Sequence, residues 1–354
     1  MKRIVLTGGG TAGHVTPNMA LVPALQKEEF EIHYIGSYDG MEKKLIEDIK
    51  IPYHGISSGK LRRYFDVKNF SDPFKVIKGY QEALHLMKTL KPDVVFSKGG
   101  FVTVPVVLAA KAKKIPVVIH ESDMTPGLAN KIAIPCAKKV CCNFPEAAKH
   151  IGEDKAIVTG TPIRKELFLG NSQKAFEICG FNEEKPVIMV VGGSSGSKAI
   201  NEIIRENLDF LLKDFQVIHL CGKGNLDESK KELKGYMQME YAKSELPHLL
   251  KLSDIVISRA GANAICELLA LNKPNILIPL SARASRGDQI LNAQSFEKQG
   301  FSYVIEEEQF SKETLEQAVT YVFENKQTYV ETMKKNTEED SIEMIIDLLK
   351  AVAK

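Results

Sequence analysis

Along this chain, short runs of apolar residues alternate with stretches in which apolar positions return every three or four residues. "RIVLT" (3–7), "FEIHYIG" (30–36), "DVVFSKGG" (93–100), "IPVVIHE" (115–121) and "KKVCC" (138–142) read as strands, each followed by helical spacing. Short strands separated by helices imply parallel pairing through right-handed crossovers. From about residue 185 the scheme starts again with "KPVIMVVGGSSGSKAINEII" and runs on through "FQVIHLCGKG", "SDIVISRAGANAICELLA" and "KPNILIPLSARASRGDQILNAQSFEKQG". Each half opens with a strand, a glycine loop and a helix. The pattern therefore predicts an α/β chain of two doubly wound parallel sheets facing across a cleft, with ligands at the carboxyl ends of the strands. Gly160 and Pro162 interrupt it within "VTGTPIRKELF" (158–168), the expected join, and residues 312–354 read as two helices without further strands.

Bulk composition adds exclusions. The 354 residues suffice for two ordinary domains, and 44% hydrophobic with 26% charged residues is a globular composition. A formal net charge of +2 offers no global field for nucleic acid. The segment before the first glycines is too short for the apolar core of a signal peptide, and no membrane-length apolar run follows, so neither a secretion signal nor a spanning helix is expected. The six cysteines, at 136, 141, 142, 179, 221 and 266, form no C-x-x-C pair. Reduced thiols are expected, with no zinc site and no disulfide framework.

Candidate chemistry gathers at the glycine loops. Gly8, Gly10 and Gly13 satisfy G-x-G-x-x-G, and the start of a helix offers amides and a dipole end to a phosphate. A dinucleotide site also wants an acidic residue closing the second strand; that strand ends in Gly36 and Ser37, with Asp39 and Glu42 beyond the place, which weakens a nicotinamide reading. His14 follows the third glycine. A neutral imidazole there can accept a proton, the alternative being a histidine that only ties down nearby backbone. In the second half, Gly192-Gly193-Ser194-Ser195-Gly196-Ser197 adds hydroxyls to a loop of the same kind, suited to a diphosphate unless it is a bare tight turn. Gly261 opens a helix carrying Glu267, whose carboxylate suits the vicinal hydroxyls of a ribose. Arg164, at the join, could reach a phosphate, and Gln289 a sugar hydroxyl. No D-x-D triplet occurs, so the charge of a departing nucleotide diphosphate would be met by amides, helix dipoles, hydroxyls and an arginine.

In order along the chain, "GGGTAGHVTPNMAL", "SKGGFVTVPVVLAA", "IHESDMTPGLANK", "GTPIRKEL", "VVGGSSGSKAIN", "SRAGANAICELLA" and "RGDQILNA" resemble the MurG family of glycosyltransferases (family 28), from about residue 3 to residue 350. These are the UDP-N-acetylglucosamine:lipid I N-acetylglucosaminyltransferases of peptidoglycan synthesis. The resemblance implies the GT-B fold and an inverting transfer of N-acetylglucosamine to the 4-hydroxyl of the N-acetylmuramic acid of lipid I, giving lipid II. It further implies a Rossmann-like acceptor and membrane domain (1–162), a donor domain (163–330) and a C-terminal helix (331–354) returning to the first domain. Its motifs place Thr11, Ala12 and Gly13 in a loop touching donor and acceptor. Arg164 and Ser194, with Ser195 alongside, fall on the diphosphate, Glu267 on the ribose and Gln289 on the N-acetylglucosamine. Gly99 and Gly100 fall on the acceptor side. His14 is similar to the histidine proposed as the family's base, with Glu121 the second candidate. Asp123 stands where many members have an asparagine near the donor sugar, Ala12 where they have a glycine, and Asp288 where they have the first of two glutamines.

The same resemblance implies a peripheral enzyme on the cytoplasmic face of the cell membrane, requiring no cofactor, with stimulation by a divalent cation left open. Its expected partners are UDP-N-acetylglucosamine, lipid I, an anionic membrane surface and a cell-wall synthesis complex, without nucleic acid. Within residues 59–80, Lys60, Arg62, Arg63, Lys68, Lys75 and Lys78 are interleaved with Tyr64, Phe65, Phe70 and Phe74, a mixture suited to anionic lipid. Phe74, Ile77, Tyr80, Leu84 and Met87 recur at helical spacing and are expected in the core, which leaves the stretch before residue 72, with Arg62, Arg63, Tyr64 and Phe65, as the membrane candidate. Two rivals share the donor half: a UDP-N-acetylglucosamine 2-epimerase on the same fold, and a non-catalytic UDP-sugar-binding subunit of a membrane complex.

Overall fold

A computed structural model describes residues 1–59, 68–152, 154–193, 196–283, 286–336 and 340–354, the side chains of 68–73 excepted. The chain divides into two units, Met1–Arg164 together with Glu338–Lys354, and Lys165–Thr337. Strands β1 (Arg3–Thr7), β2 (Glu31–Ser37), β3 (Tyr53–Ile56), β4 (Val94–Ser97), β5 (Val117–Glu121), β6 (Lys139–Cys142) and β7 (Ala156–Val158) form a sheet in the order 3-2-1-4-5-6-7. In the second unit, β8 (Val187–Val191), β9 (Gln216–Leu220), β10 (Tyr236–Met239), β11 (Ile255–Ser258), β12 (Asn275–Leu277) and β13 (Tyr303–Val304) run in the order 10-9-8-11-12-13. Every strand pair in both sheets is parallel.

The central strands are those whose sequence is almost wholly apolar. β4 (VVFS) and β11 (IVIS) are buried at every position, as a strand covered on both faces must be. The strands missing from the sequence reading (β3, β7, β10 and β13) lie toward the sheet edges, are two to four residues long and are mostly half-buried. Their apolar signal is correspondingly thin.

In each sheet the strand order reverses once, between β1 and β4 and between β8 and β11. Crossovers leave such a point in opposite directions, and it is there that doubly wound sheets place their ligand sites. The loop after β1 carries Gly8–His14 and that after β4 carries Gly99 and Gly100. In the second unit, Gly192–Ser197 follows β8 and Arg259–Gly261 follows β11.

Among the described residues the tail holds three helices rather than two. Lys312–Glu324 and Lys326–Lys334 belong to the second unit, where Leu315, Ala318, Val319 and Val322 meet Ile188, Val190 and Ile255. The break after Lys334 had no apolar punctuation to reveal it. The last helix, Ser341–Val352, is capped by the Asp340 carboxylate, which accepts from the Ile342 amide at 2.9 Å. It buries Ile342, Ile345, Ile346, Leu349 and Val352 among Ile4, Leu21, Leu25 and Phe96 of the first unit. No described helix is long and apolar enough to cross a membrane.

Candidate active site

The first glycine loop is set from below. The Tyr34 hydroxyl donates to the Gly8 carbonyl at 2.8 Å, and Asn18 Nδ2 donates to the Thr7 carbonyl at 3.2 Å. Glu42, wholly buried, accepts from the Ser37 amide at 3.0 Å and from the Gly10 amide at 3.3 Å. A methyl built on Gly9 would meet Glu42 Oε1 at 2.6 Å. The Glu42 carboxyl therefore already takes an amide that a dinucleotide's pyrophosphate would want. This is the physical case against the nicotinamide reading.

Ala12–His14 forms a single 3-10 turn directly before the helix Thr16–Lys27. His14 Nδ1 lies 3.0 Å from the Gly9 carbonyl oxygen and 3.2 Å from Thr11 Oγ1. A carbonyl only accepts, so Nδ1 carries the hydrogen and, in the neutral ring, Nε2 is the basic nitrogen. The ring is half-buried and fixed at the mouth of the loop. Thr11 is exposed, with Ala12 and Gly13 half-buried beside it.

The Gly99–Gly100 loop lies against this one. Both glycines have positive φ, +100° and +90°, and a methyl on Gly100 would strike the Gly9 carbonyl oxygen at 2.3 Å. Only glycine permits that approach. Two segments 90 residues apart in the chain thus form one surface at the β1/β4 reversal.

Glu121 has a different place from the one expected of a base. It is buried at the end of β5, and its carboxylate accepts from the Asp123 amide at 3.0 Å, the Gly127 amide at 3.1 Å and Asn130 Nδ2 at 2.9 Å. Three donors closing a loop describe a carboxylate that shapes the turn carrying Asp123. The Asp123 side chain is half-buried on that turn. Arg164 is the last residue of the first unit's main segment.

In the second unit, Gly193 (φ +92°) and Gly196 (φ +75°) turn the chain into the helix Lys198–Glu206. A methyl on Gly196 would meet the Cys221 carbonyl oxygen at 2.1 Å. Ser197 caps the helix, its Oγ accepting from the Ile200 amide at 3.4 Å. Ser194 and Ser195 lie outside the described residues, as do Arg62, Arg63, Tyr64 and Phe65. Glu267 is half-buried on the helix Ala262–Ala270. Gln289, in the first turn of the helix Asp288–Lys298, accepts through Oε1 from the Leu280 amide at 3.0 Å, which aims its amide group by the loop after β12. Asn292, one turn further, donates to the Ala260 carbonyl at 3.2 Å and so ties this helix to the start of the Glu267 helix. Asp288 is ion-paired with Arg286 at 2.6 Å.

Sequence reasoning missed Arg259. Its guanidinium donates to Ser197 Oγ at 2.7 Å, to the Ile278 carbonyl at 3.1 Å and to Glu307, whose other oxygen accepts from the Ser281 amide at 3.1 Å. One fork thus binds the cap of the phosphate-type loop to the loop that positions Gln289. An arginine directly after a buried strand and two residues before a helix-opening glycine was the available signal. His219, also missed, is buried; Nε2 lies 3.0 Å from Asn201 Oδ1 and Nδ1 2.9 Å from the Tyr236 hydroxyl. Burial, aided by the nearby Arg205 charge, pushes its pKa down to about 3.

The stripe from Phe74 to Met87 was expected wholly in the core. Met87 is buried and Tyr80 and Leu84 pack against the same cluster, but Phe74 and Ile77 are 74% and 57% exposed. The helix Lys68–Leu90 leaves its apolar stripe uncovered over these first described turns, beside Lys75 and Lys78.

Two units, each doubly wound and each with a glycine loop at its strand reversal, make the architecture of a GT-B glycosyltransferase. Residues 4–142 match the glycosyltransferase family 28 N-terminal domain and residues 187–348 the family 28 C-terminal domain; the chain belongs to that family. It is 66% identical over 352 residues to a protein of Lachnoclostridium phytofermentans, UDP-N-acetylglucosamine–N-acetylmuramyl-(pentapeptide) pyrophosphoryl-undecaprenol N-acetylglucosamine transferase, covering 99% of each chain. Among solved structures it is similar to MurG of Acinetobacter baumannii (TM-score 0.77, 25% identity, 99% and 100% of the two chains). The UDP-GlcNAc 2-epimerase of Neisseria meningitidis shares the fold at 15% identity (TM-score 0.69, 99% and 100% covered). The epimerase likeness is one of fold alone, whereas both family domains and a near-full-length relative speak for the transferase.

Proposed function

We propose that this enzyme moves N-acetylglucosamine from UDP-N-acetylglucosamine to the 4-hydroxyl of the N-acetylmuramic acid of lipid I. The observation that carries the mechanistic reading is His14, whose Nδ1 is committed to the Gly9 carbonyl so that Nε2 is the basic atom. Nε2 takes the proton as the acceptor oxygen attacks the anomeric carbon from the face opposite UDP, which inverts the centre. Gly99 and Gly100, in contact with that loop, serve the acceptor side. Glu121 acts by holding the Asp123 turn, and Asp123 faces the donor sugar. Arg164 and the Gly192–Ser197 loop, with Ser194 and Ser195, meet the charge of the departing UDP; Glu267 binds the ribose and Gln289 the sugar through its amide. Electrostatic groups fixed before the reaction stabilise a developing anion without reorganising, and here they ask for no resident metal. Mg²⁺ and EDTA should accordingly change the rate by only a few fold.

Association with an anionic membrane surface, on the cytoplasmic face where the nucleotide sugar is available, follows from the lipid acceptor. Exposed Phe74 and Ile77 beside Lys75 and Lys78 support it. A cell-wall synthesis complex is the natural setting for the reaction.

His14→Ala tests the mechanism. With a base removed, kcat should fall at least about a hundredfold while the donor KM stays within a few fold. Turnover within a few fold of the parent would remove His14 from the role.

A further inference from the structure

Behind the Gly99–Gly100 loop sits a cation that the mechanism above does not use. Lys98, the residue after β4, is 1% exposed. Its ammonium donates to His120 Nδ1 at 2.8 Å and to Ser122 Oγ. His120 is wholly buried on β5, and its Nε2 donates to the Gly160 carbonyl at 2.9 Å. An ammonium has no lone pair, so its bond to Nδ1 forces the His120 hydrogen onto Nε2, the position that Gly160 needs. One ammonium thus joins three loops on the same edge of the sheet. They are its own, leading into Gly99; the one after β5, with Ser122 and Asp123; and the one after β7, with Gly160, which runs on to Arg164. Burial and the Lys98 charge both hold the His120 ring neutral, which keeps the relay in one protonation state.

We infer that Lys98 is a positioning residue which, acting through His120 and Ser122, fixes the acceptor loop, the Asp123 turn and the Gly160–Arg164 segment in mutual register. The inference rests on the transferase reading for its kinetic consequence, though not for its structural one. A displacement of about 1 Å at reacting groups is enough to cost large factors in rate, while ground-state binding of the nucleotide is affected only through Arg164.

The experiment has two arms. Long-range ¹⁵N–¹H spectra of the histidine-labelled chain, which has 8 histidines, report the tautomer of His120 without any assay of activity. The parent should show the Nε2–H form with its Nδ1 resonance shifted by the ammonium's hydrogen bond; Lys98→Met should keep Nε2–H, which Gly160 still accepts, and lose that Nδ1 shift. An Nδ1–H form in the parent, or an Nδ1 resonance unchanged in the variant, overturns the proposal. The second arm is a kinetic cycle of Lys98→Met, His120→Phe and the double variant, with UDP affinity measured by calorimetry. The expected result is a fall in kcat of about tenfold or more for Lys98→Met, a UDP affinity lowered much less than kcat, and a double variant no worse than the poorer single. Full additivity, or unchanged kcat in Lys98→Met, overturns it. Should Lys98→Met fail to fold, the parent's Nδ1 resonance still decides, since one without the ammonium's hydrogen bond overturns the proposal. A parent that shows the Nε2–H form but transfers no sugar would instead fault the functional reading.

Discussion

At the scale of single residues, the buried histidines carry a consequence for acid stability. His219 has its folded pKa lowered to about 3 by burial, and His120 is lowered well below the ordinary value by burial and Lys98. Below about pH 6.5 the unfolded chain takes up protons at these rings and the folded chain does not, so acidification favours unfolding. The loss approaches about 1.4 kcal/mol per pH unit for each histidine, running for His219 from pH 6.5 down to about 3. Urea unfolding at pH 7 and pH 5 should show it, with a flatter dependence in His219→Asn; equal slopes in variant and parent would place the acid sensitivity elsewhere.

Candidate residues could be picked from the sequence where chain neighbours carry the information. His14 after the glycines, Glu267 on a helix opened by Gly261, and Gln289 beside Asp288 all stand in local patterns. Glu42, Lys98 and Arg259 do not. Each acts on a loop that is distant in sequence, and a sequence does not say which polar side chains the topology will bury against which loop. Glu121 shows the converse: its place at a strand end suggested a base, and the three donors around its carboxylate come from residues just after it.

At the scale of elements, the glycine turns are where a single methyl decides most. Gly100→Ala forces a side chain onto a residue with φ +90° and against the Gly9 carbonyl. It should destabilise the first unit by about 2 kcal/mol or more and disturb the seat of His14. Thermal melting and kcat would record both, and a variant with parental values of each would contradict the close approach. Gly196→Ala makes the matching test in the second unit, where calorimetry should find UDP binding weakened about tenfold or more while acceptor KM is little altered. The central strands could be read from their apolar runs, while the edge strands could not. The helix Lys68–Leu90 shows another limit of periodicity: the 3.6-residue repeat reports an apolar stripe but not what covers it. Because Phe74 and Ile77 are exposed, Phe74→Asp with Ile77→Asp should leave the melting temperature unchanged and weaken binding to anionic vesicles about tenfold or more. Undiminished vesicle binding would move the membrane surface elsewhere.

At the scale of the whole molecule, the chain begins and ends in the same unit. The last helix contributes five buried aliphatic side chains to the core around β1. At about 1.5–3 kcal/mol each, their burial is comparable with the total stability of an ordinary domain. Removing residues 341–354 should therefore unfold the first unit while the second still binds UDP; a soluble truncated chain with native melting would contradict that role. Two similar halves were visible in the sequence because each repeats the order of strand, glycine loop and helix. The transferase assignment needed more, since an epimerase shares the architecture. The most direct measurement is incubation of the full chain with labelled UDP-N-acetylglucosamine and a lipid I analogue, following disaccharide and UDP together. Stoichiometric release of UDP with a β-linked disaccharide, lost in His14→Ala, is the expected result. Consumption of the nucleotide sugar without acceptor, or a disaccharide formed equally well by His14→Ala, would contradict it.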